Sequence, residues 1–93
     1  SMSNQYTLPD FSAQLTGDDY KQMFQKAVRV IGHQRILELS KAQINLLNGS
    51  LYRIIRYRGS VDAVTEPELI GAYEMIVEHV LPGFLEDVFS KAS

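Results

Sequence analysis

From Asp18 to Ile31 the apolar residues recur with a helical period: Tyr20, Met23, Phe24, Ala27, Val28 and Ile31 fall on one side. Thr16 stands ahead of them as a capping residue, and Asp18 and Asp19 put carboxylates in the first turn, where the helix dipole favours negative charge. The pattern predicts a first helix over 18–31, closed by Gly32 in the left-handed conformation that ends many helices. Upstream, residues 3–16 mix Asn4, Gln5, Pro9 and Ser12 with isolated apolar side chains and hold no long period. They read as an arm with one short helical turn.

The stretch from His33 to Arg58 carries two competing signals. Asn48-Gly49 is a strong two-residue hairpin signal, and Tyr52 to Tyr57 has a strand-like composition. Against this, Ile36, Leu37, Ile44, Leu47, Leu51, Ile54 and Ile55 keep one helical face in phase straight through the Asn-Gly pair. A hairpin has no reason to preserve that phase. One long helix, or two nearly collinear ones, is therefore preferred over a helical hairpin bent at Asn48-Gly49 and over a β-hairpin.

Gly59 to Val64 reads as a loop, and Thr65-Glu66-Pro67-Glu68 as a helix opening: Thr65 caps, Pro67 occupies the first turn, and Glu68 sits where a capping box requires it. Leu69, Ile70, Tyr73, Ile76, Val77, Val80 and Leu81 then form a broad apolar face. Pro82-Gly83 is expected to end or kink this helix, after which Phe84, Leu85, Val88 and Phe89 continue helical spacing. The fold class that follows is all-α: a small bundle of three main helices with an N-terminal arm and a kinked C-terminal helical extension.

At 93 residues and 45% apolar content, one domain over 17–93 is the expectation, with residues 1–16 outside it. Ser1 ahead of Met2 reads as a scar of protease cleavage, with Met2 as the natural start. The chain contains no cysteine, so disulfide staples and thiolate metal sites are excluded and oligomerisation is the remaining common source of extra stability. No signal-peptide pattern and no run of about 18 apolar residues is found, which points to a cytoplasmic protein with no membrane partner.

Charge is sorted along the chain. Eight of the nine Lys/Arg lie between Lys21 and Arg58, and seven of the eleven Asp/Glu lie from Asp62 onward. The net −2 therefore conceals a basic half and an acidic half, which suggests charged surfaces that meet each other or meet partners.

On a continuous middle helix, Arg35, Leu39, Ala42, Leu46, Arg53 and Tyr57 align opposite the main apolar stripe. A helix apolar on both sides is either covered within its own domain or shared with another chain. The run from Tyr52 to Arg58 interleaves cations and aromatics, a composition suited to acidic protein surfaces or phosphates. The plainer reading pairs its arginines with Glu74, Glu78, Glu86 and Asp87 of the following acidic segment.

The expected docking residues are Arg35, Leu39, Leu46, Arg53, Arg56, Tyr57 and Arg58, and the expected partner is a protein, acidic or a second copy of the chain. A DNA-binding regulator is the alternative, because a helix-turn-helix can be laid on Leu39 to Gly59, although Asn48 falls where that motif wants an apolar residue. Catalytic and metal chemistry find little purchase. His33 and His79 are the only histidines, without metal-ligand spacing, and the six glycines stand singly with no phosphate-cradling loop. No enzyme activity, metal or cofactor is expected.

Overall fold

The computed structural model describes residues 14–81 and forms them into four helices: α1 (Gly17–Ile31), α2 (His33–Leu37), α3 (Lys41–Arg58) and α4 (Glu66–His79). No strand occurs among the described residues. Each of the three long helices opens on a reciprocal cap. At α1, Thr16 N–H donates to Asp19 Oδ2 (2.7 Å) and Asp19 N–H donates to Thr16 Oγ1 (3.3 Å). At α3, Ser40 N–H donates to Gln43 Oε1 (2.9 Å) and Gln43 N–H to Ser40 Oγ (3.1 Å). At α4, the Thr65 N–H and hydroxyl both donate to Glu68 Oε1 at 3.0 Å, with Pro67 in the first turn. Such caps satisfy donors that the helix leaves orphaned and are worth about 1 kcal/mol each.

In α1 and α3 the core side chains are spaced four residues apart. Met23, Ala27 and Ile31 of α1 meet Leu47, Leu51 and Ile55 of α3, with Leu69 and Ile76 of α4, Ile36 of α2 and Val64 completing the cluster. Each long helix packs on the other two, so α3 presents one edge of its surface to α1 and another to α4. The ridges of α1 and α3 follow the i, i+4 rows that helix packing favours, while Leu69 and Ile76 stand two turns apart on α4.

Helix α3 runs unbroken through Asn48-Gly49, and Gly49 does not adopt positive φ. The in-phase apolar face thus outweighs the local turn preference, and both hairpin alternatives are excluded. Gly49 is exposed, and a Cβ added there would meet no atom within 4 Å. Gly49→Ala is accordingly expected to stabilise the fold by about 0.5–1 kcal/mol, because Ala gives up less backbone entropy in a helix. A fall in melting temperature would contradict a helical Gly49.

Two boundaries differ from the sequence expectation. The break in the middle segment lies at Glu38–Ser40, where Ser40 ends the preceding turn by capping α3. This takes Arg35 and Leu39 out of the α3 phase, leaves Leu37 64% exposed instead of on the core face, and buries Ala42. The helix-turn-helix placed on Leu39 to Gly59 is likewise overturned, since one continuous helix occupies the position of its turn. Helix α4 ends at His79, three residues before Pro82, so Leu81 is exposed and not part of the helical face. The expected extension beyond Pro82, and the expected arm except its last residues, lie outside the described residues; Leu15 packs against the core.

Two long side chains tie the elements together. Gly59 closes α3 in the left-handed region (φ 83°), and the loop after it is held by Lys26 Nζ, which donates to Val61 O (3.0 Å) and Val64 O (2.6 Å). A lysine ammonium serves here as a donor for loop carbonyls that no helix satisfies. At the opposite end, Gln43 Nε2 donates to Val80 O (3.0 Å), joining the start of α3 to the end of α4. No described helix is long and apolar enough to cross a membrane.

Candidate functional site

Between α3 and α4 the surface sinks into a groove of about 700 Å³. Gly49 of α3 and Gly71 and Ala72 of α4 form its low ground, while Leu46 and Met75 stand at its sides with 39% and 61% of their surfaces exposed. Both glycines have open space where a side chain would be. The trough is open because Gly49 and Gly71 place no side chain in it. Arg53 lines the same groove and makes no hydrogen bond or ion pair with any described residue.

The seven expected docking residues do not form one surface. Leu46 and Arg53, two turns apart on α3, share the groove. Tyr57, one turn beyond Arg53, is half-buried, and Leu39 sits in the α2–α3 link beside a separate recess. Arg35 lies on α2 with its guanidinium 5.9 Å from the centre of the Tyr73 ring, a cation–π contact to α4.

Arg56 and Arg58 have structural partners. Arg56 Nη1 donates to Tyr20 Oη (2.8 Å), and its guanidinium stands 6.0 Å from the ring centre of Tyr52. Tyr20 and Tyr52 are stacked with centroids 4.6 Å apart and planes 7° from parallel, clipping α1 to α3. Burial works to raise the Tyr20 pKa, but its hydrogen bonds with Tyr52 and Arg56 outweigh that and hold it below the ordinary tyrosine value. The same bond to Tyr20 raises Tyr52, since it favours the protonated phenol.

Arg58 binds Glu68 through Nε (2.9 Å) and Nη2 (2.8 Å), tying the end of α3 to the capping box of α4. For Glu68, burial raises the pKa, yet the bonds from Thr65 and Arg58 prevail and lower it. Among the described residues the acidic partner of this run is Glu68, and not Glu74 or Glu78; the expected Glu86 and Asp87 lie outside them. Exchanging all three arginines for glutamate would strip the fold of two inter-helix contacts as well as altering its surface.

Sequence reasoning missed Gly71, Ala72 and Met75, which complete the groove from α4. Gly71 and Met75 are one turn apart and so share a helix edge, but only the packing of α3 on α4 shows that this edge faces Gly49. Among the described residues no group of three or more His, Asp or Glu is placed to hold a metal. Comparison with protein-family models, with curated proteins and with solved structures finds no match to this chain.

Proposed function

We propose that the protein is a small helical interaction module that docks through the α3–α4 groove, and that a second copy of the chain is its partner. The observation that carries this reading is the combination of a trough lined by Gly49 and Gly71, exposed Leu46 and Met75 beside them, and an arginine with no partner among the described residues. Apolar side chains flanking a trough supply burial, and a free guanidinium supplies orientation and charge selectivity. Glu74, exposed on α4 next to Met75, also makes no hydrogen bond or ion pair with a described residue. A surface on which Arg53 of α3 and Glu74 of α4 both lack a partner among the described residues is electrostatically suited to meet its own copy. An acidic protein would engage Arg53 in the same way.

The alternative of a DNA-binding regulator working through Arg53 to Arg58 has less support. Arg56 and Arg58 are drawn toward Tyr20 and Glu68, which leaves Arg53 as the one arginine of the run without a partner among the described residues, where phosphate binding draws on several.

Sedimentation at tens of micromolar tests the reading. The wild type is expected to be dimeric, and Arg53→Glu to raise the dissociation constant about tenfold, equivalent to about 1.4 kcal/mol, with the melting temperature unchanged. A monomeric wild type overturns self-association, and a dimer indifferent to Arg53 moves the contact away from this groove.

A further inference from the structure

Arg53 and Glu74 stand toward opposite ends of the α3–α4 groove. The bond from Gln43 to Val80 ties the start of α3 to the end of α4, and the Arg58–Glu68 pair ties the end of α3 to the start of α4, so the two helices run antiparallel. Gly49 lies midway along the α3 lining, four residues from Asn45 and four from Arg53, and Gly71 lies between Glu68 and Met75 on α4. Arg53 is displaced from Gly49 toward Gly59 by about 6 Å along the axis, and Glu74 from Gly71 toward His79 by about 4.5 Å. One end of the groove therefore carries an unpaired arginine, while the other carries Glu74 beside the exposed Leu46 and Met75. Glu68 at the arginine end is already taken by Arg58.

Two copies can bring this groove face to face about a two-fold axis in two ways. An axis along the helices sets like ends together, so that Arg53 faces Arg53 and Glu74 faces Glu74. An axis across the groove turns one copy end for end, and Arg53 of each copy then comes to the Glu74 end of the other. Like charges juxtaposed at a contact oppose association and opposite charges favour it, which selects the second arrangement.

We propose that the copies meet antiparallel, with the axis crossing the groove near Gly49, and that Arg53 of each pairs with Glu74 of the other. This rests on the self-contact put forward as the proposed function and adds to it what sets register and specificity. Each guanidinium is then engaged, and Leu46 and Met75 lie beside a pair that is already neutral. Because the axis uses both grooves at once, the assembly closes at two copies.

Arg53→Glu and Glu74→Arg, made separately and together, test the pairing by sedimentation of the full chain. Both side chains are exposed and lack a partner among the described residues, so melting temperatures are expected to stay near wild type in all three variants. Each single reversal sets two like-charged pairs across the contact and is expected to raise the dissociation constant about tenfold, whereas the double variant exchanges the charges of both pairs and is expected to return to within about twofold of wild type. Net charge alone does not give that pattern, since the two single reversals move it in opposite directions. A double variant no tighter than the single ones overturns the crossed pair, as does a dimer indifferent to both reversals, the behaviour of like ends set together. In either case a dimer still lost on Leu46→Glu shows that the groove contact itself stands, whereas a monomeric wild type overturns that contact and the pairing with it.

Discussion

Gln43→Leu is expected to lower stability by about 2–4 kcal/mol, the largest loss for any single polar side chain in the described part of the molecule. Gln43 is 5% exposed and is the one buried polar residue among those described. Its Oε1 accepts the Ser40 N–H that opens α3, and its Nε2 donates to Val80 O at the close of α4. Leucine fills a similar volume but serves neither group, so two half-buried backbone groups lose their partners at about 1–3 kcal/mol each. For a domain of this size about 1 kcal/mol moves the melting temperature by about 4–8 °C, so the shift is readily measured by thermal unfolding. Ser40→Ala is the control. It removes the Ser40 hydroxyl from the cap and leaves the bridge to Val80, and is expected to cost about 1 kcal/mol. Equal losses from the two substitutions would mean that the bridge between α3 and α4 contributes nothing.

Ser40 and Gln43 also show where sequence reading stops short. Thr65 and Glu68 form the same motif and are recognised easily, because Pro67 and a preceding loop announce a helix start. Ser40-x-x-Gln43 lies instead within a run whose apolar phase continues across it, so the periodicity signal hides the cap. Asn48-Gly49 is the converse case, a conspicuous turn signal overridden by packing of Leu47, Leu51 and Ile55 in the core. Helix existence and the apolar faces of α1 and α3 were legible for the same reason: period is local information. The groove was only half legible. Leu46 and Arg53 follow from the α3 period, whereas Gly71 and Met75 join them through a packing that no local pattern encodes. The partners of Arg56 and Arg58 are tertiary in the same sense. Tyr20 is 36 positions from Arg56, and Glu68 faces Arg58 only because the Gly59 turn brings α4 back along α3.

Leu46→Glu separates folding from association most sharply. Leu46 is 39% exposed in the single chain, so a carboxylate there can stay in water, and stability and helical content are expected to remain near wild type. In a contact formed over the α3–α4 groove the same carboxylate loses its water. Its own Arg53 is seven residues away, about 10.5 Å along the helix axis, too far to pair with it. Burying such an unpaired charge costs several kcal/mol, and about 3 kcal/mol corresponds to a dissociation constant raised more than a hundredfold. The expected result is a monomer at tens of micromolar with an unchanged circular dichroism spectrum. Retention of the wild-type dimer would show that the contact lies on another face, and loss of helical signal would place Leu46 in the fold's own core. Core truncations act in the opposite sense, since Leu47, the next residue, is fully buried and its change to Ala is expected to unfold before it dissociates. Adjacent leucines on one helix thus report separately on folding and on docking, because 100° of rotation carries one into the core and the other to the groove.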